Sequence, residues 1–110
     1  MDDRDTSAAQ AEVAQLVSEL IAIDSSNYGN DEGPGEVAAA DDVFRRLVEV
    51  GLEPERYSTT SDRRQGVVVR LPGRDRTRGA LLLHGHLDVV PAPEPNWIHP
   101  AFAGVIDEDE

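Results

Sequence analysis

The sequence contains no cysteine and no lysine. Without thiols, disulfide frameworks, thiolate zinc sites and cysteine nucleophiles are excluded. All ten basic residues are arginine, set against 22 Asp and Glu, which gives a formal charge of −12. So acidic a chain is a poor partner for nucleic acid or an anionic membrane surface, because phosphate contacts need basic patches. Long apolar runs are missing as well: none approaches the roughly 18 residues of a membrane helix. The acidic opening MDDRDTSAAQ lacks the apolar stretch of a signal peptide, so a cytoplasmic location is expected. A length of 110 residues sets a prior of about one domain. The charge is uneven: Arg78 is the last basic residue, and residues 79–110 hold six acids and no base.

What is present reads as two helices followed by strands. Within 8–23, Val13, Leu16, Val17, Leu20 and Ile21 recur at helical spacing, with Thr6 or Ser7 as the cap and Ile23 at the exit. Residues 24–35 (DSSNYGNDEGPG) are turn formers, and a loop this long points to a functional or partner-facing segment. A second helix is expected from Glu36 to Val50. Ala40, Val43, Phe44, Leu47 and Val48 form its buried stripe, Arg45 and Arg46 lie off it, and Gly51 is the left-handed residue that ends it. The Glu53-Pro54 pair prevents continuation. Residues 55–60 and the β-branched run 67–71 then read as strands, and the apolar 80–84 as a strand buried on both faces. The order implies an α/β layer fold. Only 67–71 and 55–60 are available to pair with 80–84. An open apolar edge therefore remains, and marginal stability is expected.

The chemistry concentrates in His84-Gly85-His86-Leu87-Asp88, at the end of the expected buried strand, where sites gather in α/β sheets. Strand alternation has period two, so His84, His86 and Asp88 would share one face. Imidazole and carboxylate are zinc ligands, and a carboxylate beside a ligand histidine can instead take its other N–H and orient the ring. Gly85 would allow a close backbone or ligand approach. A hydrogen-bonded structural cluster in a non-enzymatic α/β module is the alternative reading of these residues. For Asn27 and Tyr28, a turn role and a place near the site are equally open. His99 reads as an exposed loop residue, and Trp97 and Phe102 as packing for the loop after the motif.

The string from Leu81 to Pro91, LLLHGHLDVVP, resembles the first metal motif of the M20 family of zinc metallopeptidases and amidohydrolases, which includes carboxypeptidases, aminoacylases, deacetylases and desuccinylases. The segments ELIAIDSSNYG, GPGE, VEVGLEP and VVVRLPG, and Trp97 beyond the motif, are similar to the same family's N-terminal region. Ala101 separates Pro100 from Phe102, where the family usually has Pro-Phe. The resemblance implies the N-terminal part of an α/β zinc-hydrolase catalytic domain with an incomplete sheet. Residues 1–110 would be a partial catalytic domain, with the lid or dimerisation domain absent.

By that resemblance His86 is a metal ligand and Asp88 the catalytic-site carboxylate that orients it, with His84 a neighbour. Two zinc ions, with cobalt or manganese as alternatives, would hydrolyse the amide bond of a peptide or N-acyl amino acid. A homodimer is expected only of a full-length form. The remaining ligands and the general base would follow residue 110, so the chain alone is expected to be inactive, and the acids 107–110 read as a solvated charge run. The His-x-His-x-Asp string also resembles the metallo-β-lactamase signature, a hydrolase that would use His84, His86 and Asp88. That signature has a second histidine directly after the aspartate, where this chain has Val89.

Overall fold

The computed structural model describes residues 2–107. It contains two helices, α1 (Asp3–Ile21) and α2 (Val37–Glu49), and an antiparallel pair of strands, β1 (Glu55–Ser58) and β2 (Gln65–Val68). This is a small mixed α/β arrangement. The described residues divide into two compact units, 2–24 with 91–107, and 25–90.

In the first unit, α1 begins five or more residues earlier than its apolar periodicity indicates. Asp2, in extended conformation, caps it by accepting from the Arg4 N–H at 3.3 Å. Asp3 and Asp5 place negative charge at the positive end of the helix dipole. These local electrostatics supersede Thr6 and Ser7 as the start. Leu16 and Leu20 are half-buried, whereas Val13, Val17 and Ile21 stay exposed. The Ser18 hydroxyl donates to the Gly104 carbonyl. Gly104 has φ +63°, and a Cβ there would collide with the Ser18 carbonyl, so the loop approaches α1 closely only because the residue is glycine. A short 3₁₀ turn spans Glu94–Asn96. Trp97 after it is exposed, and Phe102 is half-buried.

In the second unit, α2 ends as its sequence predicts. Gly51 takes φ +86°, its N–H bonds the Val48 carbonyl at 2.9 Å, and the Leu52 N–H reaches the Leu47 carbonyl at 3.0 Å. This paired closure satisfies carbonyls that the helix leaves open. At the other end Glu36 does not cap through its side chain; its carboxylate is turned to Arg64, 2.7 Å away. Ala39 and Ala40 are buried and let α2 sit close on the hairpin, with Val43, Phe44 and Leu47 half-buried beside them. Val48, expected in the stripe, is 49 % exposed. Arg45 and Arg46 lie off the stripe and both reach Asp42, each at 2.7 Å.

The hairpin pairs Arg56 with Val67 and Tyr57 with Gly66. Tyr57 lies over Gly66 so closely that a Cβ would be 2.5 Å from its ring, an aromatic side chain filling the space a glycine leaves in a strand. β1 stops at Ser58, short of the expected 55–60, and β2 begins at Gln65, ahead of the expected 67–71, and ends at Val68, leaving Leu71 outside the strand and exposed.

The expected strand at 80–84 is not formed. Leu81, Leu82 and Leu83 are 83 %, 83 % and 84 % exposed. Its apolar composition suits a buried strand, but a strand exists only where a neighbour takes its backbone hydrogen bonds. Here β2 pairs with β1, and no strand pairs with 80–84 among the described residues. Also among the described residues, no helix is long and apolar enough to cross a membrane.

The Asp42 carboxyl lies below its ordinary value of 3.8, chiefly through the hydrogen bond from Arg46, with burial opposing and Arg45 assisting. A depressed carboxylate stabilises the fold fully above its unfolded value and loses that contribution as pH falls through the folded one. Asp42→Asn is therefore expected to lower stability at neutral pH by about 0.5 kcal/mol, the usual size of an i,i+4 pair. The gap from wild type should close as pH drops below about 4. Denaturant unfolding followed by circular dichroism at several pH values checks both.

Candidate functional site

The site is built where residues 25–27 and 87–89, 62 residues apart at Ser25 and Leu87, run side by side. Ser26 and Val89 form a parallel bridge. The Asn27 N–H donates to the Val89 carbonyl at 2.8 Å, and the Val89 N–H to the Ser25 carbonyl at 3.2 Å. The Ser25 hydroxyl donates to the Leu87 carbonyl at 2.7 Å. Ser25 and Ser26 are buried, where polar groups need partners such as these. The turn-rich loop after α1 thus has a structural role, crossing back to hold residues 87–89.

On this junction three side chains form a chain of contacts. The Asn27 Nδ2 donates to Asp88 Oδ2 at 2.8 Å. His86 Nδ1 lies 3.0 Å from Asp88 Oδ1 and 2.7 Å from the Asp88 carbonyl oxygen. Both groups facing Nδ1 are acceptors, so the neutral ring carries its proton there and its lone pair on Nε2. The hydrogen bond from Asn27, and secondarily the hydrogen bond and charge of His86, hold the Asp88 carboxyl below its ordinary range against the opposing effect of burial. Asp88 is therefore ionised at neutral pH and acts only as an acceptor.

The sequence-based expectation put His84, His86 and Asp88 on one strand face. Residues 84–88 are not in a strand, and only His86 and Asp88 are joined; His84 makes no hydrogen bond among the described residues. His84, His86 and Asp88 do border one open cleft of about 460 Å³. Val43 and Val67 also line it, as do Glu36 and Arg64, which form an ion pair. His99 is exposed, as expected. Asn27 is the residue that sequence reasoning left undecided. Its signal was the Asn-x-Gly spacing with Gly29, since the Gly29 N–H donates to Asn27 Oδ1 at 2.8 Å in a side-chain turn.

The donor set fits one arm of a metal site: an outward imidazole nitrogen with its opposite N–H held by a carboxylate. A full catalytic shell needs about three protein ligands. No group of three or more His, Cys, Asp or Glu residues able to hold a metal ion occurs among the described residues. The chain matches no protein-family model, no curated protein and no solved structure.

Ser25→Ala removes the donor to the Leu87 carbonyl and leaves that acceptor unpaired at a part-buried junction. The expected loss is about 1–2 kcal/mol, measurable as a lower midpoint in urea unfolding followed by far-ultraviolet circular dichroism.

Proposed function

We propose that this chain contributes the histidine arm of a divalent-metal site in a hydrolase acting on amide bonds, of the kind found in the M20 family. The observation that carries the reading is the contact of Asp88 with His86, which sends the imidazole proton to Nδ1 and leaves Nε2 as a free donor atom. A histidine serving only the core would be covered, whereas the His86 side chain is 77 % exposed. The LLLHGHLDVVP string adds the resemblance of residue types and order.

In this reading His86 holds the metal through Nε2, and Asp88 keeps the ring in one tautomer and one orientation. When bound, the metal supplies a water of lowered pKa and polarises a carbonyl. Zinc suits imidazole and carboxylate donors, with cobalt and manganese as substitutes. The cleft offers Val43 and Val67 to an apolar group of a peptide or N-acyl amino acid, beside an internally neutralised Glu36–Arg64 pair. The other ligands and the general base are assigned to no residue of this chain, so no hydrolytic step is derived. The finer fold assignment, the first part of an α/β zinc-hydrolase domain in the cytoplasm, belongs to the same proposal.

Zinc added to the ¹⁵N-labelled chain is expected to shift the His86 Nε2 resonance before those of His84 and His99. His86→Ala should remove the binding, and His84→Ala should leave it. Binding that survives His86→Ala, or that moves His84 first, overturns the reading.

A further inference from the structure

Asn27 is pinned at three points. Its backbone N–H donates to the Val89 carbonyl at 2.8 Å, its side-chain oxygen accepts from the Gly29 N–H at 2.8 Å, and its side-chain nitrogen donates to Asp88 Oδ2 at 2.8 Å. The second contact settles which end of the amide faces Asp88. With Oδ1 engaged by a donor, the NH₂ group must point to the carboxylate. The carboxylate is then held from one oxygen by Asn27, and its other oxygen meets His86 Nδ1 at 3.0 Å, beside the Asp88 carbonyl oxygen at 2.7 Å. An uninterrupted series of donors and acceptors therefore runs from the Gly29 N–H through Asn27 and Asp88 to the imidazole.

His86 itself is mostly exposed, and packing does not fix the ring. The fixed point lies two residues into the turn-rich loop, where Ser25 and Ser26 are buried.

We propose that Asn27 is a positioning residue: by gripping Asp88 Oδ2 it aims Oδ1 at His86 Nδ1, and so adds to the Asp88 carbonyl in fixing Nε2 as the imidazole nitrogen presented to a ligand. The consequence for metal binding rests on the function proposed above, but the tautomer does not. Asn27 touches neither substrate nor metal in this scheme; it acts through Asp88. A residue that served only the turn would need its Oδ1 alone, so the two roles separate in one substitution. Asn27→Asp keeps an oxygen for the Gly29 N–H but cannot donate to Asp88, and it sets one carboxylate against another. Asn27→Ala removes both contacts.

The test is the tautomer ratio of His86, read from its ring ¹⁵N shifts in the metal-free full chain at a pH of about 8.5, above the ordinary imidazole range. His84, which makes no hydrogen bond among the described residues, is the internal reference. In wild type, His86 should hold its proton on Nδ1 far more than His84 does. In Asn27→Asp the Nδ1–H to Nε2–H ratio should fall about fivefold, the effect of one lost hydrogen bond. Asn27→Ala should show the same fall. The Gly29 and Val89 amide shifts report whether the turn and the junction persist in Asn27→Asp. An unchanged His86 ratio in Asn27→Asp with the junction intact overturns the proposal and assigns Asn27 to the turn alone. Because no metal is present, failure of zinc to bind His86 leaves this result standing. Conversely, zinc binding with an unchanged tautomer refutes the role of Asn27 and not that of His86.

Discussion

The junction between residues 25–27 and 87–89 is the constraint on which the candidate site depends. Neither segment belongs to a regular sheet, and each supplies the other's backbone partners. Two main-chain hydrogen bonds and the Ser25 hydroxyl close it, and the serines on one side are buried. Unpaired, those groups would each cost the free energy of a lost hydrogen bond. Paired, they hold Asn27 opposite Asp88, and His86 follows. The chemistry of the LLLHGHLD string is therefore organised by a loop far away in sequence and not by a strand.

Arginine fastens the rest of that loop. Arg63 donates to the Asp31 and Gly33 carbonyls, Arg64 pairs with Glu36 at 2.7 Å, and the Glu36 N–H bonds the Arg63 carbonyl at 2.9 Å. Gly35, at φ +75°, lies so near Arg63 that a Cβ would be 2.5 Å from its carbonyl oxygen. A loop rich in Gly, Asn, Asp and Pro is thus tied at both ends, to the 87–89 segment and to the hairpin turn. Planar guanidinium groups suit such ties because they reach several acceptors at once. Asp31 takes φ +58° within the tie, a conformation that aspartate tolerates better than most side chains.

Helices were legible because their signals are local. The stripe of α2, Gly51 and Pro54 all lie within one short stretch of sequence, and the structure ends α2 where they indicate. The start of α1 was harder, because a single capping aspartate outweighs the apolar period. Strand 80–84 failed for a different reason. Leu81, Leu82 and Leu83 state a preference for burial, but pairing depends on a distant partner that composition does not reveal. The pairing of His86 with Asp88 was anticipated from their spacing, although the regular strand invoked for it is absent; the two-residue separation suffices. Asn27 was ambiguous because asparagine is a common turn residue, and it fills both roles at once.

Amide hydrogen exchange on the free chain tests the central claim most directly. The account predicts slow exchange at Asn27 and Val89, whose N–H groups close the junction, and unprotected exchange through Leu81–Leu83, whose backbone has no strand partner. Protection across 81–83 together with free exchange at Asn27 and Val89 would contradict it, placing the histidine segment on a regular strand and leaving the loop with no part in forming the site.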